Sequence, residues 1–349
     1  MFMDTILLSA DTQLTPPCTA TIGFFDGVHL GHRYLLQSLC QEAGQRGWPA
    51  MAVTFARHPR QVVQTEWHPQ LLTSLDEKVS LLSTTGIDRL VVLPFDEAMA
   101  ALTAREFMQR VLFRQLGVRL LLTGYDNRFG HRTEQNVSEG FNDYVNYGKE
   151  LGMGVIAGTS LPPPPSKRGG AVFSPPLLEG GGGRLCSSLV RRLLLDGQVA
   201  EASCCLGRPY VLTGVVTHGQ QIGRQMGYPT ANLQPSDPQK LVPREGVYAV
   251  QAEVDGIEGR FAAVCNIGRR PTFQGTNTTI ETHLLDFHGD TYDRRLTLHF
   301  LRWLRPEQQF ATPQQLAEKI EEDIRQAKQT LNFKPETSNF KLQTSNFKK

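Results

Sequence analysis

No apolar run in the 349 residues approaches the roughly 18 needed to cross a bilayer, so no transmembrane helix is expected. Met1 to Ala10 carries Asp4 and lacks both a basic start and a long apolar stretch, which disfavours a secretory signal. An excess of one charge is missing too. The formal net charge is +2, which leaves no global field for nucleic acid or an anionic membrane, and any anion site must be local. The six cysteines, Cys18, Cys40, Cys186, Cys204, Cys205 and Cys265, contain no Cys-x-x-Cys spacing. Metal ligation and a disulfide framework are both disfavoured, and a reduced, cytoplasmic setting is expected. What is present is a composition of 40% apolar and 20% charged residues, ordinary for a globular chain long enough to build two cores.

The first stretch alternates strand-like and helix-like segments. Ala20–Gly23 closes a buried strand, and His32–Arg46 has helical periodicity with Leu35, Leu36 and Leu39 inward. Ala50–Phe55 reads as a strand, Asp76–Thr84 as a helix and Arg89–Leu93 as a strand. Ala104–Leu116 reads as a helix and Arg119–Thr123 as a strand. This alternation predicts a parallel sheet covered on both faces, with its ligand loops along one edge.

The later stretch has short β-rich runs at Tyr210–Val215, Gly246–Val254, Arg260–Ile267, Thr279–Phe287 and Leu296–Leu301, with a hairpin turn at Asp255-Gly256. Such spacing predicts a small antiparallel barrel or sandwich. A terminal helix follows, with Thr312 as N-cap, Pro313 at its first position and Gln315 completing a capping box. Its apolar stripe is Leu316, Ile320, Ile324 and Ala327. The expected organisation is a parallel-sheet α/β domain over 1–160, a Pro/Gly-rich flexible insert over 161–185 and a helical connection over 186–205. A barrel domain over 206–331 and a disordered tail over 332–349 complete it.

Chemistry concentrates at two glycine-punctuated blocks. The first, Gly23-Phe24-Phe25-Asp26-Gly27-Val28-His29-Leu30-Gly31-His32, joins a strand to a helix start. A helix N-terminus offers unpaired N–H groups to a phosphate, and glycine lets backbone approach it closely. Gly23, Asp26 and Gly31 are therefore candidate nucleotide-binding positions, and His29 and His32 candidate donors to charge developing on a transferred phosphoryl group. Gly124-to-Gly130 closes a later strand at the same sheet edge, where Asp126 suits a polar ring or ribose edge and Phe129 an aromatic face. Ser187, Ser188 and Arg191 open the helical run Val190–Leu195 and suit the outer phosphates of a nucleotide.

The second block runs from Gly214 through Gly219, Gly223, Arg224 and Gly227 to Pro229-Thr230-Ala231-Asn232. It is not a Walker loop, but its glycines can wrap main-chain N–H groups around a polyphosphate. The Thr230 hydroxyl and Asn232 amide oxygen are hard ligands suited to Mg²⁺ shared with nucleotide phosphates.

These blocks, taken in order with Thr54-Phe55-Ala56-Arg57-His58-Pro59-Arg60, Leu206-Gly207-Arg208-Pro209-Tyr210, Asn266-to-Phe273 and Glu281-to-Phe287, resemble the bifunctional bacterial riboflavin kinase/FMN adenylyltransferase family, also called FAD synthetase. The resemblance covers roughly Thr21 to Ser160 and Cys186 to Leu331. It implies a Rossmann-like domain transferring AMP from ATP to FMN, and a barrel phosphorylating riboflavin with ATP and Mg²⁺. It also implies roles. His29, His32, Ser188 and Arg191 would contact phosphate, Asp126 the ligand, Thr230 and Asn232 magnesium and ATP, and Glu281 would be the general base. The sequence departs from the family in its insert and in Cys186 and Leu189, which replace a serine and an arginine of the Ser/Arg motif. Two other functions fit parts of the pattern: a riboflavin kinase with impaired adenylyltransferase activity, and a flavin-binding regulatory module. A nucleotidyltransferase for another acceptor would leave the barrel unexplained.

Overall fold

The computed structural model describes residues 3–64, 66, 69–124, 129–131, 139–158, 185–218, 227–272 and 275–332. The insert and the tail, and with them the expectations of a flexible linker and a disordered end, fall almost wholly outside the described residues. Two compact units divide the chain. The first holds the described residues up to Arg191, with Cys205–Gly207 and Gln239–Leu241, and the second holds the rest.

The first unit is a six-stranded sheet of β1 (Asp4–Leu7), β2 (Cys18–Ile22), β3 (Ala50–Phe55), β4 (Arg89–Leu93), β5 (Val118–Thr123) and β6 (Gly154–Ala157). The strand order is β1-β4-β3-β2-β5-β6, and every pairing is parallel. Both β2 and β3 are buried along their whole length, Thr19, Thr21 and Thr54 included, as strands covered on both faces are. Successive side chains alternate between two cores. Ala20, Ile22, Met51, Val53, Val91 and Leu93 join one, and Ala50, Ala52, Leu90, Val92, Leu120 and Leu122 join the other.

The helices of this unit are α1 (Leu30–Arg46), α2 (Pro59–Val63), α3 (Leu75–Ser83), α4 (Glu97–Ala100), α5 (Ala104–Phe107) and α6 (Phe141–Leu151). Leu36, Leu39 and Ala43 of α1 and Leu82 of α3 enter the second core. Phe107 and Tyr144, from α5 and α6, enter the first. The helix expected over Ala104–Leu116 instead changes winding: Met108–Gln115 is a π-helix, closed by Leu116 N–H donating to Val111 O at 2.9 Å. Strands β1 and β6, each four residues long and partly exposed, gave no strand signal of their own. They are edge strands, held by a single neighbour.

The chain leaves β2 for β3 and β4 on one side and returns to β5 on the other. The carboxyl ends of β2, β3 and β5 thus meet at a topological switch point, where an open α/β sheet binds ligands. Helices α7 (Ser187–Leu195) and α8 (Val199–Leu206) follow the insert.

The second unit is a closed barrel of β7 (Tyr210–Thr217), β8 (Ala231–Pro235), β9 (Gly246–Val254), β10 (Phe261–Thr272), β11 (Gly275–Leu284) and β12 (Arg295–Arg305), in the order β10-β11-β8-β7-β12-β9. Tyr248 meets Phe300 edge-on at 5.2 Å in its interior, and Gly256, at φ 74°, makes the expected turn between β9 and β10. The terminal helix, Pro313–Asn332, lays Ile324 and Ala327 on Ala249, Ala262, Val264 and Leu285. Thr312 caps it by accepting from Gln315 N–H at 3.3 Å, while the Gln315 side chain takes Ala311 N–H rather than the cap residue's own.

One ion pair ties this helix to β12. Arg305 donates to Asp323 through Nε at 3.0 Å and through an Nη atom at 2.8 Å, with Asp323 only 3% exposed. Removing one partner of such a pair strands the other charge. Asp323→Ala should therefore lower unfolding free energy by about 3–5 kcal/mol, measured by urea titration, whereas an exposed pair such as Arg105–Glu150 should change it by less than about 1 kcal/mol.

Candidate active sites

At the end of β2 the backbone enters the left-handed region at Phe25 (φ 53°), Gly27 (φ 77°) and Val28 (φ 39°). Glycine tolerates this; a β-branched valine there is strained and must be held. Asp26 holds it. Its buried carboxylate accepts from Leu72 N–H at 2.9 Å, Thr73 N–H at 3.1 Å and the Thr73 hydroxyl at 3.2 Å. The Thr73 hydroxyl in turn accepts Gly27 N–H at 3.1 Å. Glycine is also required at 27 for space, because a Cβ there would lie 2.9 Å from the Leu72 side chain.

The start of α7 docks on this turn. The Ser187 hydroxyl donates to Asp26 O at 2.9 Å. Arg191 ion-pairs with the Asp26 carboxylate and sends Nε–H to Gln70 O at 2.8 Å. Both Asp26 and Arg191 thus have protein partners. Asp26, expected at the nucleotide, is occupied with main-chain donors and a guanidinium, so it organises the loop. Arg191, expected at outer phosphates, is anchored by that same carboxylate. Ser187 rather than Ser188 makes the contact, and Ser188 is exposed in the first turn.

His29 and His32 come together as expected. His29 is the N-cap of α1, and its Nδ1 accepts His32 N–H at 3.3 Å, so its ring proton resides on Nε2. The two rings stack with centroids 3.7 Å apart and planes 17° apart. A Cβ at Gly31 would sit 3.1 Å from the His29 ring, which explains the glycine. His32 Nδ1 is buried without a hydrogen-bond partner. Burial, with the neighbouring His29 and Lys78 charges, holds its pKa well below 6.5. It is a neutral donor at physiological pH.

Two basic residues that sequence reasoning assigned no role complete the constellation. Lys78 of α3 is buried, and its ammonium donates to Phe24 O at 3.2 Å and Phe55 O at 3.1 Å. It thereby clamps the carboxyl ends of β2 and β3 together. It also lies 4.1 Å from the centroid of the Phe24 ring. Desolvation pushes its pKa down to about 8 against the opposing pull of Asp26. His58 caps α2, its Nδ1 accepting Arg60 N–H at 3.1 Å. Burial, then the Arg191 charge, lowers its pKa to about 4. Lysine and histidine inside a helical or loop pattern read as surface residues; only burial distinguishes these two.

Phe129 has aromatic partners within its own unit. Its ring stacks on Tyr144 at 4.4 Å and contacts Phe107 at 5.8 Å, so one face is committed to core packing. Asp126 lies outside the described residues, as do Gly219, Gly223 and Arg224 of the second block.

The barrel site is set by register. Glu281 on β11 lies directly opposite Asn232 on β8 and Asn266 on β10. Cα partners across a ladder share a face, so one carboxylate is flanked by two amides. Buried Ile280, Thr282, Ala231 and Leu233 alternate with this row, which places it on the outer surface of the barrel. Thr230 immediately precedes β8, and the segment before it is tied down by His283 Nδ1, 2.8 Å from Pro229 O. At Gly214 a Cβ would come within 2.2 Å of Gln234 O, so β7 and β8 approach as only glycine allows. Asn266, which donates to Glu307 at 3.3 Å, had been assigned no role. Strand β8, carrying Asn232, gave no strand signal because its five residues are half polar.

The buried Lys78 yields a sign-definite pH effect. The folded state releases its proton near pH 8 and the unfolded state near 10.5, so between those values the unfolded chain binds more protons and stability rises with pH. Wild type should gain unfolding free energy relative to Lys78→Met as pH is raised through that window, and parallel urea titrations at stepped pH would show it.

Comparison with known proteins matches both units. A FAD synthetase family model covers residues 11–161 and a riboflavin kinase model covers 206–331. A bifunctional riboflavin kinase/FMN adenylyltransferase from Escherichia coli strain K12 is 36% identical over 88% of this chain and 90% of its own length. The corresponding proteins of Pseudomonas fluorescens and Bacillus subtilis strain 168 are 37% and 32% identical, over 89% and 88% of this chain and 92% and 90% of their own lengths. A solved structure described as a macrolide-efflux protein from Streptococcus pneumoniae superposes with a TM-score of 0.79, covering 93% of this chain and 99% of that one at 27% identity. Among the described residues no helix is long and apolar enough to cross a membrane. With one carboxylate–amide row on a kinase-matched barrel, one histidine pair at the switch point of a synthetase-matched sheet and full-length relatives at this identity, the chain belongs to the bifunctional riboflavin kinase/FMN adenylyltransferase family.

Proposed function

We propose that this chain phosphorylates riboflavin to FMN and adenylylates FMN to FAD, using ATP in both steps. The observation that carries the reading is the register that sets Glu281 against Asn232, two residues after Thr230, in a different unit from the stacked His29–His32 pair.

In the kinase step Glu281 takes the proton of the ribityl hydroxyl as its oxygen attacks the γ-phosphorus, and ADP leaves. The Thr230 hydroxyl and Asn232 amide oxygen fit Mg²⁺, which keeps most of its shell for water and phosphate oxygen and takes few protein ligands. Bound there, Mg²⁺ neutralises charge between the phosphates. Gly219, Gly223 and Arg224 would line the same phosphates from the preceding loop.

In the adenylyl step an FMN phosphate oxygen attacks the α-phosphorus of ATP and pyrophosphate leaves. His29 and His32 donate ring N–H to the charge that develops, beside the N–H groups opening α1. Gly23 and Gly31 keep that approach clear, Asp26 fixes the turn, and Ser188 and Arg191, the latter held by Asp26, would contact the departing phosphates. Asp126 would contact the bound nucleotide or flavin. The alternative of a damaged adenylyltransferase is weakened by Ser187 and Arg191. Both meet Asp26 of the β2–α1 turn, Ser187 through a hydrogen bond to its carbonyl oxygen and Arg191 through an ion pair with its carboxylate. A reduced, cytoplasmic setting suits both reactions, and no disulfide links the six cysteines.

Incubating the full chain with riboflavin, ATP and Mg²⁺ and separating the flavins by chromatography tests both steps. Glu281→Gln should slow FMN formation by about 10²–10⁴-fold while leaving FMN-to-FAD conversion within about twofold. His32→Ala should slow FAD formation about 10²-fold and spare phosphorylation. Equal losses from either substitution would refute the two-site assignment.

A further inference from the structure

Residues 239–241 lie in sequence between β8 and β9 of the barrel, inside the stretch matched by the riboflavin kinase model. They nevertheless belong to the first unit. Leu71 N–H donates to Gln239 O at 2.7 Å, and Leu241 N–H donates to Leu71 O at 2.8 Å. The pairing of Leu71 with Lys240 is a one-residue parallel bridge. It fastens this piece to the segment preceding α3.

Lys240 sits at the centre of the bridge and is buried. Its ammonium donates to Leu72 O at 2.9 Å and ion-pairs with Glu77. The Glu77 carboxylate also accepts Ser74 N–H at 3.0 Å, capping α3. The same short segment faces the β2–α1 turn. Leu72 and Thr73 N–H groups hold Asp26, the Thr73 hydroxyl holds Gly27, and Gln70 O holds Arg191. One strip of backbone, 70–74, thus carries a buried cation on one side and the phosphate turn on the other. A buried ion pair is a poor device for stability, because desolvating both charges offsets most of their attraction. Its use is geometric: it sets where the Leu72–Thr73 amides point.

We infer that Lys240 is a positioning residue for adenylyl transfer, acting through Leu72 and Thr73 on Asp26 and through Asp26 on Arg191. The inference rests on the proposed adenylyltransferase reaction. It means that the adenylylating site is completed by a residue from the kinase-matched stretch of the chain.

The test uses the full-length protein and its two reactions, with phosphorylation as the internal control. Lys240→Met should lower kcat/KM for FMN adenylylation about tenfold or more, with KM for ATP raised as well as kcat reduced, and phosphorylation should stay within about twofold. A protein that is merely less stable would lose active enzyme, and so kcat, without shifting KM. Lys240→Arg, which keeps donors for Leu72 O and Glu77, should recover most of the loss. Combining Lys240→Met with Asp26→Asn should cost less than the product of the two single effects, because both act on one backbone strip. If Lys240→Met fails to fold, Glu77→Gln, which retains an acceptor for Ser74 N–H, should show the same selective change at smaller size. Unchanged adenylylation, equal loss of both activities or fully independent effects would overturn the inference. If wild type itself forms FMN but no FAD, the underlying functional reading fails instead.

Discussion

A single buried carboxylate organises the first site. Asp26 is 3% exposed and meets two main-chain amides, a hydroxyl and a guanidinium. A charge so placed is tolerable only when its partners are complete. That demand draws four separate pieces of chain to one point: the β2–α1 turn, the 70–74 strip, the start of α7 and, through Leu72 O, Lys240. The strained φ values at Phe25 and Val28 persist because this network over-determines them. Once the turn is held, His29 must cap α1, and His32 follows one turn later with its ring on the first.

The electrostatics around that turn favour an anion without a dense field of fixed charge. Burial keeps His32 and His58 neutral, so the imidazoles act as oriented donors and give no repulsion to one another. Net positive charge comes from Lys78, whose ammonium is already engaged with two carbonyl oxygens at the strand ends. Preorganised dipoles of this kind need no rearrangement when charge moves onto a transferred phosphoryl group. The barrel uses a different principle. There the Glu281 carboxylate is placed by strand register alone, with Asn232 and Asn266 as its ladder partners, and a one-residue slip would turn it into the interior.

Much of this was legible before any coordinates. The fully buried strands β2 and β3 announce themselves as short, mostly apolar runs without charge, and the β-rich runs of the second unit mark five of its six strands. The His29/His32 pair is readable because a helix start puts residues three apart on one face. Thr230, Asn232 and Glu281 were legible through motif resemblance, and the ladder explains why they travel together. Edge strands β1 and β6 and the polar strand β8 were not legible, since they are held by neighbours rather than by their own pattern.

What the linear order settles is whatever depends on spacing along a strand or helix: element type, the histidine-capped start of α1 and the alternation that puts Glu281 outside the barrel. What only the folded chain decides is pairing across distance. Asp26 finds Thr73, Arg191 and, indirectly, Lys240; Lys78 is buried rather than solvated; Phe129 spends a ring face on Tyr144. The physical reason is that local periodicity is written in neighbouring residues. The partner of a buried charge or ring depends on which backbone carbonyls, amides and faces remain unsatisfied once all layers have packed.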